Sequence, residues 1–389
     1  MHRRDLFKLG GMAALGFGTG ACATRQAARS VPRRAPIHLA PVEVSWDRVI
    51  RTTVGLRPHR PAGFVLRAEK LDAKTLIHNY GHGGAGISLS WGTGHMVAEL
   101  ALETGERRAA VLGCGAVGLA AARQLQRRGF DVTIYAMTLP PDTTSNMALA
   151  GFTPASGVVA LDRRTSEWDA QFRRAAQIAY EHLQLLVGST YGVSWLYNYS
   201  PTDDVRMASG RNELLPDLKT EQVLLEPGEH PFPAKYAIRS ASLRIEPSLY
   251  VAAVLRDFLL FGGRVVVRKF DTPRDLASLE EPVIVNCTGL GSCALFDDMD
   301  LIPHKGQLTV LIPQLEVDYM TTGAGRAIPN LPGGGLHMMP RSDGIILGGT
   351  REAGVWTLEP NDEERRRVVT GHQQFFAAMG ALSPGARVT

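Results

Sequence analysis

The sequence has few cysteines and lacks the usual metal-binding motifs. Its 389 residues include four cysteines, of which Cys22 lies in a basic and apolar N-terminal segment. The other three, Cys114, Cys287 and Cys293, are an odd number, so no framework of disulfide bonds is expected. Paired CxxC spacing, a histidine-rich tract and the HExxH pattern of a helical zinc site are also missing. No metal site is therefore predicted.

The chain also lacks a strong excess of charge. Its net charge is +4, but the first 34 residues carry seven basic side chains and one acidic side chain, so the remainder carries −2. A body near neutrality lacks the basic surface with which proteins bind nucleic acids, and no such partner is expected. With 44% hydrophobic residues, the chain can bury the cores of two closely packed domains.

No apolar run is long enough to cross a membrane comfortably. The first 23 residues combine Arg3 and Arg4 with a short apolar run and small residues at 21–23, which resembles a twin-arginine export signal. The alternative is a frayed basic terminus or a short membrane anchor. Lipidation at Cys22 is disfavoured because Thr19 stands where an aliphatic residue is usual.

The N-terminal pattern therefore predicts a signal peptide at 1–23 and a periplasmic or secreted protein without a stable membrane span. Residues 24–41 are rich in Arg, Ala and Pro and show no hydrophobic periodicity. This composition is typical of a linker between a signal peptide and a folded body.

A strand, a glycine turn, a helix and a second strand follow one another after residue 108. The apolar run 109–112 leads into a GxGxxG turn with Gly113, Gly115 and Gly118, and residues 119–135 read as a helix and a strand. Gly113 permits the tight turn, Gly115 lets the backbone approach a pyrophosphate, and Gly118 lets the helix pack on the strand. The spacing predicts a dinucleotide-binding βαβ unit.

One expected part of this unit is missing. The second strand usually ends in an acidic residue that binds the adenosine ribose, but residues 135–137 are Tyr, Ala and Met. Two readings stay open: Ser, Thr or backbone groups bind the ribose, or the adenosine is held less tightly.

The remaining pattern predicts a second sheet. Short β-branched and aromatic runs separated by Pro and Gly between 177 and 247 are typical of antiparallel strands. Residues 250–261 read as an amphipathic helix and 264–267 as a strand. The buried strand 283–286 ends in the turn 287–289, and ligands bind at such strand ends.

Five segments resemble the D-amino-acid oxidase family. Residues 78–92, with the sequence His-Asn-Tyr-Gly-His-Gly-Gly-Ala-Gly at their start, are similar to the flavin-contacting segment of that family. Residues 143–154 resemble its threonine-rich flavin loop, and 285–289 resemble the strand that closes over FAD. Residues 336–350 are similar to a strand pair beside the flavin, and 55–61 to the segment with the carboxylate-binding arginine.

The resemblance implies an α/β fold with a Rossmann-like FAD-binding domain and a second, mainly antiparallel substrate domain. Both are discontinuous in sequence. The expected FAD-binding domain comprises 58–160 and 246–295. The expected substrate-binding domain comprises 42–57, 161–245 and 296–389.

The order of these segments differs from that of the family. In family members the segments similar to 55–61 and 78–92 lie near the C-terminus, whereas here they precede the GxGxxG turn. This order indicates a circular permutation, which is tolerated where the ends of a fold lie close together at its surface. It predicts that the C-terminal helix packs near residues 41–46, with Thr389 close by.

The resemblance also assigns site residues. Arg57 would pair with the substrate carboxylate, the Gly84 carbonyl would accept from the substrate amine, and His337 stands where many members have a tyrosine. The residues implied to bind FAD are Gly83, Gly84, Gly86, Ile87, Ser88, Gly113, Gly115, Ala116, Val117, Gly118, Thr143, Thr144, Ser145, Thr288 and Gly289.

The implied reaction is the oxidative deamination of a D-amino acid. A hydride leaves the substrate Cα for the flavin, the imino acid hydrolyses to a 2-oxo acid and ammonia, and oxygen reoxidises the cofactor to give hydrogen peroxide. The partners would be the amino acid and oxygen, and a homodimer is compatible with the sequence. Alternatives are oxidation of glycine or an N-alkyl amino acid, a dehydrogenase with another electron acceptor, and a non-catalytic flavin or amino-acid binding protein.

Overall fold

Two β-sheets with flanking helices organise the chain. The computed structural model describes residues 34–206, 214–215, 218, 220–328 and 335–382. The expected signal peptide and most of the expected linker lie outside these residues.

Strands and helices alternate along much of the described chain. The strands are β1 (Val49–His59), β2 (Val65–Leu71), β3 (Lys74–Tyr80), β4 (Arg108–Leu112), β5 (Asp131–Ala136), β6 (Val193–Thr202), β7 (Gln222–Leu225), β8 (Tyr236–Ile245), β9 (Arg264–Val267), β10 (Val283–Asn286), β11 (Ile302–Leu311), β12 (Tyr319–Thr322), β13 (His337–Arg341), β14 (Gly344–Gly348) and β15 (Glu352–Ala353). The helices are α1 (Gly86–Leu102), α2 (Ala116–Gln126), α3 (Ser166–Leu185), α4 (Pro247–Leu260), α5 (Gly291–Phe296) and α6 (Asp362–Leu382).

The smaller sheet has the strand order β2-β3-β10-β4-β5-β9. All neighbours in it are parallel except the hairpin of β2 and β3. The succession of β4, α2 and β5 along the chain confirms the predicted βαβ unit. The helix α2 ends shortly before Gly129, which has a positive φ of 80°. Parallel strands require such crossover helices, which cover the sheet and bury it.

Buried apolar side chains explain the position of β10 at the centre of this sheet. Val283, Ile284 and Val285 are each 0% exposed and lie between β3 and β4. Val283 and Val285 face the main core with α1, α2 and α3, whereas Ile284 joins a second cluster under α5. A short continuous apolar run is typical of a strand covered on both faces.

The larger sheet has the order β1-β11-β14-β13-β12-β6-β8-β7, with β15 paired to β11. Its neighbours are antiparallel except β6 and β12, which confirms a mainly antiparallel second sheet. The strands β1 and β11 pair along nearly their whole length, from Val49 opposite Leu311 to His59 opposite Ile302. The strand β1 carries Arg57 into this sheet.

Sheet membership differs from the expected domain boundaries in two places. The helix α3, which we expected in the substrate-binding part, packs on α1 and buries Phe172 and Ala176 in the core of the smaller sheet. The strand β1 continues to His59, two residues beyond the expected boundary. An amphipathic pattern indicates that a helix has a buried face but does not tell which sheet that face covers.

The expected linker at 24–41 is too long at its C-terminal end. The Ile37 N–H donates to the Glu229 carbonyl at 3.0 Å, and Ile37, Leu39 and Ala40 pack against the core of the larger sheet. These residues therefore belong to the folded body. This segment has no hydrophobic periodicity because it forms neither a helix nor a strand and is held by contacts with distant residues.

The two ends of the described body meet at one side chain. Tyr319 Oη donates to the Ala40 carbonyl at 2.7 Å and lies 3.7 Å from Met379 Sδ in α6. Phe375 and Phe376 of α6 share the same core cluster with Val42. No helix within the described residues is long and apolar enough to cross a membrane.

Candidate active site

The GxGxxG turn is tightly packed. A β-carbon on Gly118 would lie 2.1 Å from the Gly113 carbonyl oxygen, and one on Gly113 would lie 2.6 Å from the Cys287 carbonyl oxygen. Gly113 also has a φ of 107°, a conformation that favours glycine. The glycines therefore allow α2 to begin directly on the ends of β4 and β10, where the helix N-terminus can attract a phosphate.

The threonine-rich loop contacts this helix N-terminus. Ser145 Oγ accepts from the Ala116 N–H at 3.0 Å, which satisfies one of the first-turn donors that have no partner within the helix. Thr144 lies against Gly55 of β1, and Thr143 Oγ1 donates to Asn146 Oδ1 at 2.7 Å. The loop therefore joins the smaller sheet to β1.

The turn before α1 lies beside the same region. A β-carbon on Gly86 would lie 3.7 Å from Val117 Cγ2, and Ser88 Oγ donates to the Gly151 carbonyl at 3.1 Å while accepting from the Thr153 N–H at 2.8 Å. Ile87 is buried with Ser88 in the first turn of α1.

Gly83 and Gly84 are closely packed against the backbone of residues 156–157. A β-carbon on Gly83 would lie 2.1 Å from the Gly157 carbonyl oxygen, and one on Gly84 would lie 2.8 Å from the Ser156 carbonyl oxygen. The nearest obstacle to a side chain is thus the protein backbone. His82 before this turn pairs with His59 at the end of β1.

The turn after β10 is held by a buried hydrogen-bond network. The Thr288 N–H and hydroxyl both donate to Asn286 Oδ1, at 3.1 and 2.8 Å, and Asn286 Nδ2 donates to Ser292 Oγ at 3.0 Å. Asn286 is 0% exposed. Gly289 follows with a φ of 59° and lies against Pro58.

These turns lie at the carboxyl ends of the parallel strands. Apart from its chain neighbours, Ser145 Oγ at 3.1 Å is the one atom of the described residues that a β-carbon built on Gly115 would meet within 4 Å, so the backbone there is open to a ligand. Four of the segments predicted to bind FAD surround the N-terminus of α2, namely residues 86–88, 113–118, 143–145 and 288–289. A pyrophosphate fits this arrangement of backbone N–H groups and glycines.

Arg57 lies at the junction of β1 with this region. It stands opposite His304 of β11, and its Nη2 donates to the Thr350 carbonyl at 3.3 Å. Burial, and then the charge of Arg351, lower the pKa of Arg57. The guanidinium nevertheless stays protonated at neutral pH, because the ordinary pKa of arginine is far above neutrality. It is a partly buried cation available to an anion.

His337 is the first residue of β13 and lies opposite Gly348 of β14. Burial lowers the pKa of His337, and the charges of Arg57 and Arg326 lower it further. Its Nδ1 is buried and has no hydrogen-bond partner among the described residues. A neutral imidazole at residue 337 can donate one N–H to a ligand without repelling the Arg57 guanidinium.

Comparison with known proteins gives the family of the chain. The sequence pattern of the family described as "FAD dependent oxidoreductase" matches residues 3–100 and 108–388. This chain belongs to that family. The residues at the α2 N-terminus therefore fit the phosphates of its cofactor, FAD.

Relatives and solved structures agree with this flavoprotein assignment. The D-amino-acid oxidase of Rubrobacter xylanophilus is 30% identical over 270 residues, covering 65% of this chain and 72% of that protein. The D-aspartate oxidase of Homo sapiens is 28% identical over 279 residues, covering 68% and 74%. The fold is similar to glycine oxidase from Bacillus cereus, with a TM-score of 0.52, 13% identity and coverage of 71% and 80%.

The flavoprotein site contains two histidines that the sequence did not indicate. The rings of His59 and His304 are stacked, with centroids 4.1 Å apart, and His59 Nδ1 lies 2.9 Å from the Gly157 carbonyl oxygen. Burial lowers the pKa of His304 to about 4, helped by His59, Arg351 and Arg57. The stacking of His59 on His304 depends on the register of β1 and β11, and no local sequence motif indicates that register.

Proposed function

We propose that this protein catalyses the FAD-dependent oxidative deamination of a D-amino acid to a 2-oxo acid, ammonia and hydrogen peroxide. The observation that carries the proposal is the position of Arg57. Its guanidinium donates to the Thr350 carbonyl at 3.3 Å and forms no ion pair with a carboxylate among the described residues, and Arg57 lies on a strand that leads into the cofactor-binding turns. His337 lies opposite Gly348 of β14, two residues before Thr350. A planar guanidinium can bind a carboxylate through two parallel hydrogen bonds.

The protein residues orient the substrate in this proposal. Arg57 forms a bidentate pair with the α-carboxylate, and His337 donates an N–H to the same group. The Gly84 carbonyl accepts from the substrate amine, and these contacts fix the face from which the Cα–H bond points. When bound, FAD supplies the electron acceptor for oxidation of the Cα–N bond. Orientation of this kind accounts for much of a catalysed rate.

A substrate panel tests the proposal. The holoenzyme is incubated with D-amino acids, their L-enantiomers, glycine and N-methylglycine, and hydrogen peroxide and ammonia are measured. We expect peroxide and ammonia in equal amounts with D-amino acids. Absence of product with every D-amino acid, although FAD is bound, contradicts the proposal.

The same panel distinguishes the alternatives. Turnover of glycine or N-methylglycine without D-amino acids indicates the glycine or N-alkyl activity. Reduction of an artificial electron acceptor without peroxide indicates a dehydrogenase. Tight binding of amino acid and FAD with no reduction of the cofactor indicates a binding protein.

The twin-arginine signal remains part of the proposed function. FAD is inserted in the cytoplasm, and a route that carries folded cargo allows the holoenzyme to reach the periplasm or the medium. Replacement of Arg3 and Arg4 by Lys should retain the protein in the cytoplasm. Unchanged export of the double variant indicates a different route. A homodimer remains an expectation that sedimentation would test.

The circular permutation is also a proposal. It is supported by Tyr319, which contacts both Ala40 and Met379, because ends that lie together can be joined and reopened elsewhere. The break between the two matched stretches of the family, at 101–107, falls at the exposed connection from α1 to β4. Thr389 lies outside the described residues.

A further inference from the structure

A buried histidine away from the proposed substrate contacts adjoins the turn after β10. His78, in β3, stands opposite Asn286, the last residue of β10, and the two strands are parallel neighbours. The side chain of His78 is 3% exposed, and Asn286 is 0% exposed. The imidazole lies edge-on to Tyr80 and Phe296, at centroid distances of 5.6 and 4.9 Å. Water therefore has little access to either polar side chain.

The hydrogen bonds of this imidazole determine which ring nitrogen carries the proton. Asn286 Oδ1 accepts from the N–H and the hydroxyl of Thr288, so Asn286 Nδ2 is the amide atom that faces His78. This amide nitrogen lies 3.1 Å from His78 Nδ1 and can only donate, so Nδ1 accepts. The proton is then on Nε2, which donates to Glu69 Oε1 at 3.1 Å. His78 is therefore neutral in this arrangement.

The amide of Asn286 holds one wall of the phosphate-binding turn. A β-carbon on Gly113 would lie 2.6 Å from the Cys287 carbonyl oxygen, and one on Gly118 would lie 3.5 Å from Cys287 Cβ. Residue 287 thus packs directly on the GxGxxG turn, between Asn286 and Thr288. Rotation of the amide would release both donors of Thr288 and free this backbone to move.

We propose that His78 is a positioning residue for FAD, because its Nδ1 orients the Asn286 amide that holds the turn 287–289. The proposal concerns retention of the cofactor and does not depend on which substrate is oxidised. Protonation of the imidazole would place an N–H against the amide N–H of Asn286, and two donors cannot share this bond. FAD is therefore held by the form with a neutral imidazole and is released faster from the protonated form.

The groups that face His78 set the pH at which it becomes protonated. Burial lowers the pKa of His78, whereas Glu69 raises it through its hydrogen bond and its charge. The charge of Arg67 lowers this pKa and that of Asp298 raises it, and the net shift is downward. Tyr80 donates to Asp298 at 2.8 Å, and burial raises the pKa of this phenol, so it stays uncharged. The imidazole thus gains its charge only below the ordinary pKa of about 6.5.

Two isosteric variants separate orientation of the amide from simple filling of space. In His78→Asn the side-chain oxygen takes the place of Nδ1 and accepts from Asn286, whereas His78→Gln places an amide nitrogen at Nε2 and lacks that acceptor. The rate of FAD release from diluted holoprotein is followed at neutral pH by the rise in flavin fluorescence. We expect about tenfold faster release in His78→Gln, since a buried donor loses its partner, and less than about threefold in His78→Asn.

The comparison of the two variants decides the role of the imidazole. Release at the wild-type rate from both variants means that His78 does not affect the cofactor. Equally fast release from both means that the ring only fills space. Either result overturns the proposal.

The pH profile tests the same step without His78→Gln, should that variant fail to fold. Release from the wild type should accelerate as the pH falls below about 6.5, and this acceleration should be absent in His78→Asn, which has no titrating ring. Glu69→Gln keeps an acceptor for Nε2 but removes the charge that raises the pKa of His78. Its acceleration should therefore begin at a lower pH than in the wild type. Identical profiles for the wild type and His78→Asn contradict the proposal.

His95→Asn is the matched control because it also removes a partly buried imidazole. His95 lies in α1, where its Nδ1 is 3.1 Å from Arg128 Nη2, and burial lowers its pKa as well. This variant should release FAD at the wild-type rate and with the wild-type pH profile. Circular dichroism at each pH restricts the comparison to conditions in which all the proteins are folded. A control that releases FAD as fast as His78→Gln would mean that loss of any such imidazole loosens the cofactor, which overturns the assignment to His78.

Discussion

The guanidinium of Arg57 lies over the α-carbon of Gly306. A β-carbon at residue 306 would be 2.1 Å from Arg57 Nη2, and Gly306 follows His304 on β11 in the strand pair that contains both residues. The glycine therefore provides the space in which the guanidinium rests. This contact suggests a way to move Arg57 without replacing it.

Gly306→Ala should displace the guanidinium while the fold is retained. The atoms that the new methyl group would meet are the end of a flexible side chain, which can rotate away. We expect kcat/KM for the best amino-acid substrate to fall by about tenfold or more, since a carboxylate clamp is sensitive to its position. FAD content and Tm should stay near the wild-type values. Wild-type kinetics in Gly306→Ala would contradict a role of the guanidinium position.

Arg57→Leu should lower the specificity constant while FAD stays bound. A charge-assisted hydrogen bond contributes about 1.5–3 kcal/mol, so loss of the pair should reduce kcat/KM by about tenfold to a hundredfold at least. Arg57→Lys should also be impaired, because an ammonium restores the charge but not the two parallel donors.

The amine that lacks a carboxylate is the control substrate for Arg57. Steady-state rates with a D-amino acid and with its decarboxylated analogue should show a loss for the first only. Unchanged oxidation of the amino acid in Arg57→Leu would mean that another group binds the carboxylate.

Gly118→Ala should prevent FAD binding. The added methyl group would lie 2.1 Å from the Gly113 carbonyl oxygen, and this backbone contact cannot relax without moving α2 away from the strands. Flavin absorbance per protein should be largely lost and the Tm lowered. A yellow protein of normal Tm would contradict the assigned role of the glycine turn.

Gly380→Ala is the matched control because Gly380 also lies within a helix. Among the described residues, no heavy atom apart from its chain neighbours and the backbone of its own helix lies within 4 Å of a β-carbon built there. Alanine is favoured over glycine in a helix by about 1 kcal/mol, so this variant should be at least as stable as the wild type and retain FAD.

Stability should fall as the pH is lowered from about 6.5 to about 4. Burial lowers the pKa of His372 to about 4 and of His82 to about 3, and His304 also has a pKa of about 4. In this window the unfolded chain, with histidines near pKa 6.5, binds protons that the folded chain does not, so the free energy of unfolding decreases. Each such group contributes a slope of up to about 1.4 kcal/mol per pH unit.

Urea unfolding at several pH values measures this slope. His372→Leu, which removes one buried imidazole, should reduce the slope by about one proton whatever its effect on stability at pH 7. A slope identical to that of the wild type would show that the pKa of His372 does not differ between the folded and unfolded states.

The proposed permutation predicts that the chain can be reordered. A variant that starts at Glu106 and ends at Gly105, with a flexible linker joining residue 382 to residue 36, should fold and bind FAD. The cut lies in an exposed turn, and Tyr319 shows that the ends to be joined are close. Opening the chain inside α3, between Gln171 and Phe172, should abolish folding because this helix belongs to the core. Failure of the first variant to fold would count against the permutation.

Local features of the sequence were sufficient to predict the βαβ unit of the smaller sheet. The strand 109–112, the glycine turn and the following helix form a contiguous pattern, and the structure has them as β4 and α2 within a few residues. Short-range periodicity and turn chemistry determine such a unit. The mainly antiparallel second sheet was likewise confirmed from its short runs.

The surroundings of Arg57, where the substrate is proposed to bind, could not be predicted in the same way. His304 stands opposite Arg57 although 246 residues lie between them, because the register of β1 and β11 places them together. The stacking of His59 on His304 follows from the same pairing. Such contacts depend on tertiary packing, which residue patterns in one sequence do not encode locally.

A short covalent connection also joins the two sheets. Residues 60–64 lead from the end of β1 to β2, His59 pairs with His82, and the Ala160 N–H donates to the Pro61 carbonyl at 2.8 Å. The segment that carries Arg57 is thus anchored beside the glycine turns on both sides. Heating should therefore inactivate the protein at the temperature at which it unfolds. We expect no earlier stage in which FAD remains bound while β1 and Arg57 have separated from the glycine turns.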